Sequence, residues 1–225
     1  MRARAQPDRR LRRLQAIDAG SELQREVRRF VREDLGRSWE ETRERVLVQC
    51  RASEIVPEEE LRVSDRVLSP SDFGFHNALL DRQGKIRFFD FEYAGWDDPA
   101  KLVCDFFCQV EVPVPRALFP LFCTGIVSRL REPERVRQRI DVLFPVYRMK
   151  WCCIVLNEFL PVGQARNLCL HESQSLLFEN QLFLARPFVA FLTPMIHKHL
   201  AGSRHLREDE LWRALIRVGP SLIRT

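Results

Sequence analysis

Two aspartates and an asparagine stand at spacings that can gather oxygen ligands: Asp72, Asn77 five residues on, and Asp90. Between Asn77 and Asp90 the run Asp81-Arg82-Gln83-Gly84 has hairpin turn chemistry and is flanked by the short apolar runs 78–80 and 86–89. With the turn centred there, cross-strand partners sum to about 166, which sets Asn77 opposite Phe89 and brings Asp90 to the same open end. Asp72 lies on the irregular stretch Ser69-Pro70-Ser71-Asp72-Phe73-Gly74-Phe75-His76, which can return it to that end. Two oxygen-bearing side chains beside a third carboxylate suit Mg2+, a hard cation that completes its octahedron with phosphates and water. One Asp left off the metal could accept a proton from a hydroxyl. His76 has two readings, a substrate or phosphate contact and a side chain that stabilises the loop, of which the second is preferred.

The elements around this hairpin read as helices. Ser21 with Gln24 is a capping-box pattern opening a helix that carries Leu23, Val27, Phe30 and Val31 until Gly36 stops it. Ser38 with Glu41 opens a second, carrying Trp39, Val46, Leu47 and Cys50, and residues 57–60 connect it to the β-like stretch 67–95. Val67 and Leu68 form a first short strand, followed by the two arms of the hairpin. Asp98 is a helix cap and Pro99 suits the first helical position, with Leu102, Val103, Phe106, Phe107 and Val110 forming an apolar face that ends before Pro113. Further helices are expected over 116–131, 133–158 with a break, 172–200 and 207–217, bent or ended by Pro120, Pro145, Pro161, Pro187 and Pro194. The expected fold class is mainly α with a small β-hairpin insert, α+β. Its expected organisation is a basic arm over 1–20, disordered or partly helical, and one body over 21–225 in which 67–95 carries the site and 98–218 is helical.

The chain has 225 residues and a net charge of +5, which invites a nucleic-acid reading. Residues 1–13 hold six Arg and one Asp, so the whole excess belongs to the arm and the remainder sums to zero. A basic tail without interleaved aromatic residues on a neutral body does not make nucleic acid an expected partner. No apolar run approaches the ~20 residues that span a bilayer, so no membrane partner is expected either. Seven Cys without a secretory leader point to free thiols in a reducing compartment, and the cytoplasm is the expected location. The adjacent Cys152 and Cys153 lie in an apolar run and read as buried helix rather than a redox pair. His197 and His199 read as an exposed helix end, and Asn157, Glu158, His171 and Glu172 as either part of an acceptor pocket or solvated helix ends.

The ordered set Asp72, Asn77, Asp90-Phe91-Glu92, Asp98-Pro99 and Asp105-Phe106 resembles the catalytic half of the aminoglycoside phosphotransferase and choline kinase superfamily, closely so over 67–107. That family's run is His-x-Asp-x-x-x-x-Asn, a hairpin, Ile-Asp-Trp-Glu, and Gly-Asp-Pro-x-x-Asp-Leu. The resemblance implies the C-terminal lobe of a protein-kinase-like fold and transfer of the γ-phosphate of ATP to a hydroxyl of a small-molecule acceptor. It makes Asp72 the catalytic base and Asn77 and Asp90 the ligands of Mg2+ carried with ATP, with Asp98 and Asp105 supporting the site. Pro70 stands where the family has His, only Gly20 and Gly36 precede Gly74, and no Lys precedes Lys85. The Gly-rich loop and strand Lys that hold the phosphates are therefore missing and the N-terminal β-rich lobe is largely absent. The resemblance then implies one of two things: a catalytic lobe that works with a separate or upstream N-terminal lobe, or a catalytically silent kinase-like lobe acting as an interaction module.

Overall fold

The structure, a computed structural model, describes residues 5–17, 20, 22–56, 60–110 and 112–160. The expected helices over 172–200 and 207–217, and Pro161, Pro187 and Pro194, lie outside the described residues. What is described is mostly helical with small antiparallel sheets, in the α+β class expected. The chain divides into two compact units, one of residues 43–151 with 1–4 and one of residues 5–42 with 152–225.

In the second unit, α1 (Ala5–Gln15) lies within the arm and buries Leu11 and Leu14, with Ile17 buried just beyond its end. Asp8 on its first turn accepts a hydrogen bond from Trp39 Nε1 at 2.6 Å. The expected break at Gly36 does not occur. The helix α2 (Glu22–Phe30) runs through a π-helical segment, Val31–Leu35, directly into α3 (Gly36–Ala52). Gly36 has helical angles, φ −60° and ψ −48°, and its N–H bonds to the carbonyl of Val31. A Cβ there would sit 3.2 Å from that oxygen, so the glycine serves the close approach of the π turn and does not end the helix. Ser38, expected to cap a new helix, is buried inside the continuous one.

In the first unit two two-stranded sheets frame the site. β1 (Val67–Ser69) pairs antiparallel with β4 (Gly95–Asp97), and β2 (Ala78–Leu80) with β3 (Ile86–Phe88). The hairpin register is Ala78↔Phe88, Leu79↔Arg87 and Leu80↔Ile86, as the turn chemistry required. Asp81 builds that turn, its Oδ1 accepting from the N–H groups of Gln83 and Lys85, while Gly84 takes φ +75°. Strand β4 was not anticipated. It is three residues long, too short to show a period in sequence, and it pairs Trp96 with Leu68 and Gly95 with Ser69.

α4 (Pro99–Cys108) is the centre of this unit, with all ten residues buried. Asp98 caps it, its Oδ1 accepting from Ala100 N–H at 2.8 Å and its Oδ2 from Arg139 at 2.7 Å. A helix buried all round reads as a core helix, and Phe106 joins its aromatic face to the rest of the core. Phe106 stacks on Phe122 at 4.5 Å between ring centroids and on Phe73 at 4.9 Å, and meets Phe75 edge-on at 5.3 Å. α5 (Phe119–Val127) supplies Phe122, and α6 (Pro133–Val155) continues through Pro145 without ending there. Among the described residues no helix is long and apolar enough to cross a membrane.

Candidate functional site

The segment between β1 and β2 is fixed from below by two aromatic anchors. Phe73 and Phe75 alternate inward, onto Phe106 and Phe88, and leave Asp72 and His76 on the other side of the chain. Gly74 lies between them. A Cβ on it would come within 2.5 Å of His76 Nδ1 and 3.0 Å of Gln109 Cγ, so the His76 ring occupies space that a side chain would take. His76 Nε2 thereby reaches to 3.3 Å from Asp72 Oδ1. The His76 ring holds the Asp72 carboxyl below its ordinary value; partial burial works the other way, and Asn77 and Lys150 add to the lowering. Asp72 is therefore ionised at neutral pH, in the state that can accept a proton.

Asn77 is 9% exposed and tied at three points. Its Nδ2 donates to the Asp72 carbonyl at 3.0 Å, its N–H to the Gly74 carbonyl at 3.1 Å, and its own carbonyl accepts from Phe89 N–H at 3.0 Å. With Nδ2 engaged, Oδ1 is the atom left to act as a ligand. Asp90 follows Phe89 directly and is exposed. Its φ is +62°, a left-handed conformation uncommon for a residue other than glycine. Ser71, next to Asp72, has φ +71°, and Glu54 has φ +52°. Glu54 follows the end of α3, where Ile55 N–H returns to Cys50 and a left-handed residue is ordinary helix-end geometry. Ser71 and Asp90 have no such explanation, and backbone strain of this kind concentrates at functional sites.

Beneath the loop lies a buried charge chain, in which Asp105 was expected from the sequence and Lys101, Lys150 and Asp97 were not. Asp105, 3% exposed, accepts from Lys150 Nζ and, at 2.8 Å, from Trp151 Nε1, and pairs with Lys101 Nζ at 3.4 Å. Lys101 also pairs with Asp97 at 2.9 Å and donates to the Ser71 carbonyl at 3.2 Å. Asp105 thus reaches the loop through Lys101. A cavity of about 330 Å³ elsewhere in this unit, lined in part by Val56, Leu61, Arg62, Arg131 and Arg139, includes none of the site residues.

Among the described residues no three of His, Cys, Asp and Glu gather to hold a metal ion, so they supply no zinc-type centre with three protein ligands. Asn77 and Asp90 are the oxygen donors at the open end of the hairpin, Asp90 directly following Phe89, whose N–H bonds to the Asn77 carbonyl. Four of the five His, at 171, 197, 199 and 205, lie beyond the described residues. His171-Glu172 begins like the helical zinc motif H-E-x-x-H, but Ser175 stands where its second His would be.

A family model described as Carboxypeptidase Taq (M32) metallopeptidase matches residues 155–225, which is 71 of the 225 residues. No curated protein and no solved structure matches. The match overturns the resemblance to aminoglycoside phosphotransferases and choline kinases. With that resemblance fall the transfer of phosphate from ATP to a small-molecule hydroxyl, ATP, acceptor and separate lobe as partners, and the silent kinase-like interaction module. Before Asp72 the described residues hold no Lys and no Gly-rich loop, the elements by which that superfamily grips the phosphates of a nucleotide. The likeness that replaces them is to a metallopeptidase family, over the last third of the chain.

Proposed function

We propose that this chain is a metal-dependent hydrolase acting on peptides. The observation that carries the reading is the likeness of residues 155–225 to the Carboxypeptidase Taq (M32) metallopeptidase family. The loop of the first unit supports it with an acid–base pair and an oxygen-donor pair. Asn77, through Oδ1, and Asp90 are the residues that would hold a divalent cation, with water completing the shell. When bound between them, such a cation would supply Lewis-acid polarisation of the scissile carbonyl. Asp72, ionised and oriented by His76, takes the proton of the attacking water and passes it to the leaving amine. The strained angles of Ser71 and Asp90 fit residues kept for their geometry at a cost in backbone energy.

The test is incubation of the purified chain with a mixture of unblocked peptides and Mn2+, Co2+ or Zn2+, followed by mass spectrometry. Release of carboxy-terminal residues that stops with a chelator is expected; intact peptides under all three metals refute the reading. A second position for the cation is favoured by the four His of the last third, His171 first among them. Metal binding by Asp90→Ala and His171→Ala variants separates the two: loss in Asp90→Ala places the cation at the loop, and loss in His171→Ala places it in the matched segment.

A further inference from the structure

We propose that Lys101 is the positioning residue of this site, its ammonium holding Ser71 in a strained turn and so aiming Asp72. The inference rests on the reading of Asp72 given above.

Asp72 N–H donates to the Pro70 carbonyl at 3.0 Å, which closes a three-residue γ-turn about Ser71. With Ser71 at φ +71° this is the rarer, strained hand of the γ-turn. Serine has no intrinsic reason to adopt it, so contacts from outside the turn must hold it there. On one side Ser71 N–H donates to the hydroxyl of buried Ser69 at 3.1 Å. On the other, Lys101 Nζ donates to the Ser71 carbonyl at 3.2 Å and lies 3.3 Å from its hydroxyl.

The ammonium itself is anchored on two elements. Asp97, at the end of β4, pairs with it at 2.9 Å, and Asp105, one turn further along α4, at 3.4 Å. Burial pushes the Lys101 ammonium down, but Asp105 and Asp97 together carry it above its usual value, so it keeps three N–H donors. Two carboxylates already balance its charge. The contact with Ser71 is therefore not needed to neutralise a buried cation, and its consequence lies in the loop. The next residue is Asp72, whose carbonyl receives Asn77 Nδ2 at 3.0 Å and whose carboxylate meets His76 at 3.3 Å. If Ser71 left its left-handed conformation, Asp72 would swing away from both.

Amide hydrogen exchange followed by NMR on the full chain tests this, comparing wild type with Lys101→Met and Lys101→Arg. The expected result is exchange of the Asp72, Asn77 and Phe89 amides in Lys101→Met faster by at least tenfold beyond any acceleration of the Leu102 amide of α4. Lys101→Arg, which can still donate to the Ser71 carbonyl, should recover most of the protection. Unchanged loop amides in Lys101→Met, failure of Lys101→Arg to recover them, or equal acceleration at Leu102 would each overturn the proposal. Peptide release adds a second readout: kcat falls at least tenfold in Lys101→Met while KM stays within about twofold. Absence of peptide release by wild type would count against the hydrolase reading alone and leave the exchange result to decide the role of Lys101.

Discussion

His76 Nε2 and Asp72 Oδ1 stand 3.3 Å apart across Gly74, and the missing Cβ of that glycine makes room for the imidazole. Phe73 and Phe75 pin the backbone on either side, so the ring rather than the chain must yield to any added atom. Gly74→Ala should displace His76 from Asp72 without unfolding the unit. The rate of peptide release should fall by about 10²-fold, the cost of misplacing a catalytic group by about an ångström. A His76 side-chain NMR signal unchanged in the variant would contradict this.

Asp105 sits between two ammonium groups and an indole N–H in the buried centre of the first unit. Asp105→Ala leaves Lys101 and Lys150 without their shared counter-charge. Removing one partner of a buried ion pair costs about 3–5 kcal/mol, and the variant should lose about that much in urea unfolding. A loss below about 1 kcal/mol would mean that water replaces the carboxylate without penalty.

Phe106 joins the loop anchors Phe73 and Phe75 to Phe122 and Phe107. Phe106→Ala should cost about 3–5 kcal/mol of stability, and Phe106→Leu distinctly less because most of the volume is kept. Both are read from denaturant midpoints at constant m. The alanine variant should also blunt the site, since two anchors of the loop lose their floor.

Much of this was legible in the residues. Turn chemistry at Asp81 to Gly84 fixed the hairpin register, because two-residue periodicity leaves one pairing once the turn is placed. Asp98 and Pro99 marked the start of α4, because a cap and a proline act within a few residues. Gly36 misled because a glycine that ends a helix and one that admits a π turn look the same in sequence; only the Val31 carbonyl at close range tells them apart. β4 left no signal because three residues cannot show a period. The charge chain did leave one: Lys101 and Asp105 stand four apart, one helical turn, on the otherwise apolar helix that Asp98 caps. The likeness of residues 155–225 to a peptidase family was not legible, since His171-Glu172 lacks the second His that would have completed a zinc motif.

Two buried thiols set the alkaline limit of the fold. Burial pushes the Cys153 thiol up to about 12 and raises Cys104 well above its usual value. Unfolding releases both to ionise near the ordinary thiol value of about 8.5, so between roughly pH 9 and pH 12 the folded chain binds more protons than the unfolded one. Stability is therefore unaffected by these groups below about pH 8.5 and falls as pH rises above it. Urea midpoints measured from pH 7 to pH 11 should show this decline, and it should be shallower in Cys153→Ala. A flat profile up to pH 11 would mean that the thiols are reachable by water in the native state.

The central claim is that Asp72 performs chemistry on a peptide with the help of a divalent cation. Its most direct test is the turnover number for release of carboxy-terminal residues from a single peptide at saturating metal, measured side by side for wild type and Asp72→Asn. The variant keeps the side-chain shape at a half-exposed position, so its thermal unfolding should match wild type and its binding of metal should persist. Wild type should release residues in a metal-dependent way, and kcat should fall by about 10²- to 10⁴-fold in Asp72→Asn, the range general acid–base catalysis supplies. Equal turnover by the two proteins, or release that ignores a chelator, would contradict it.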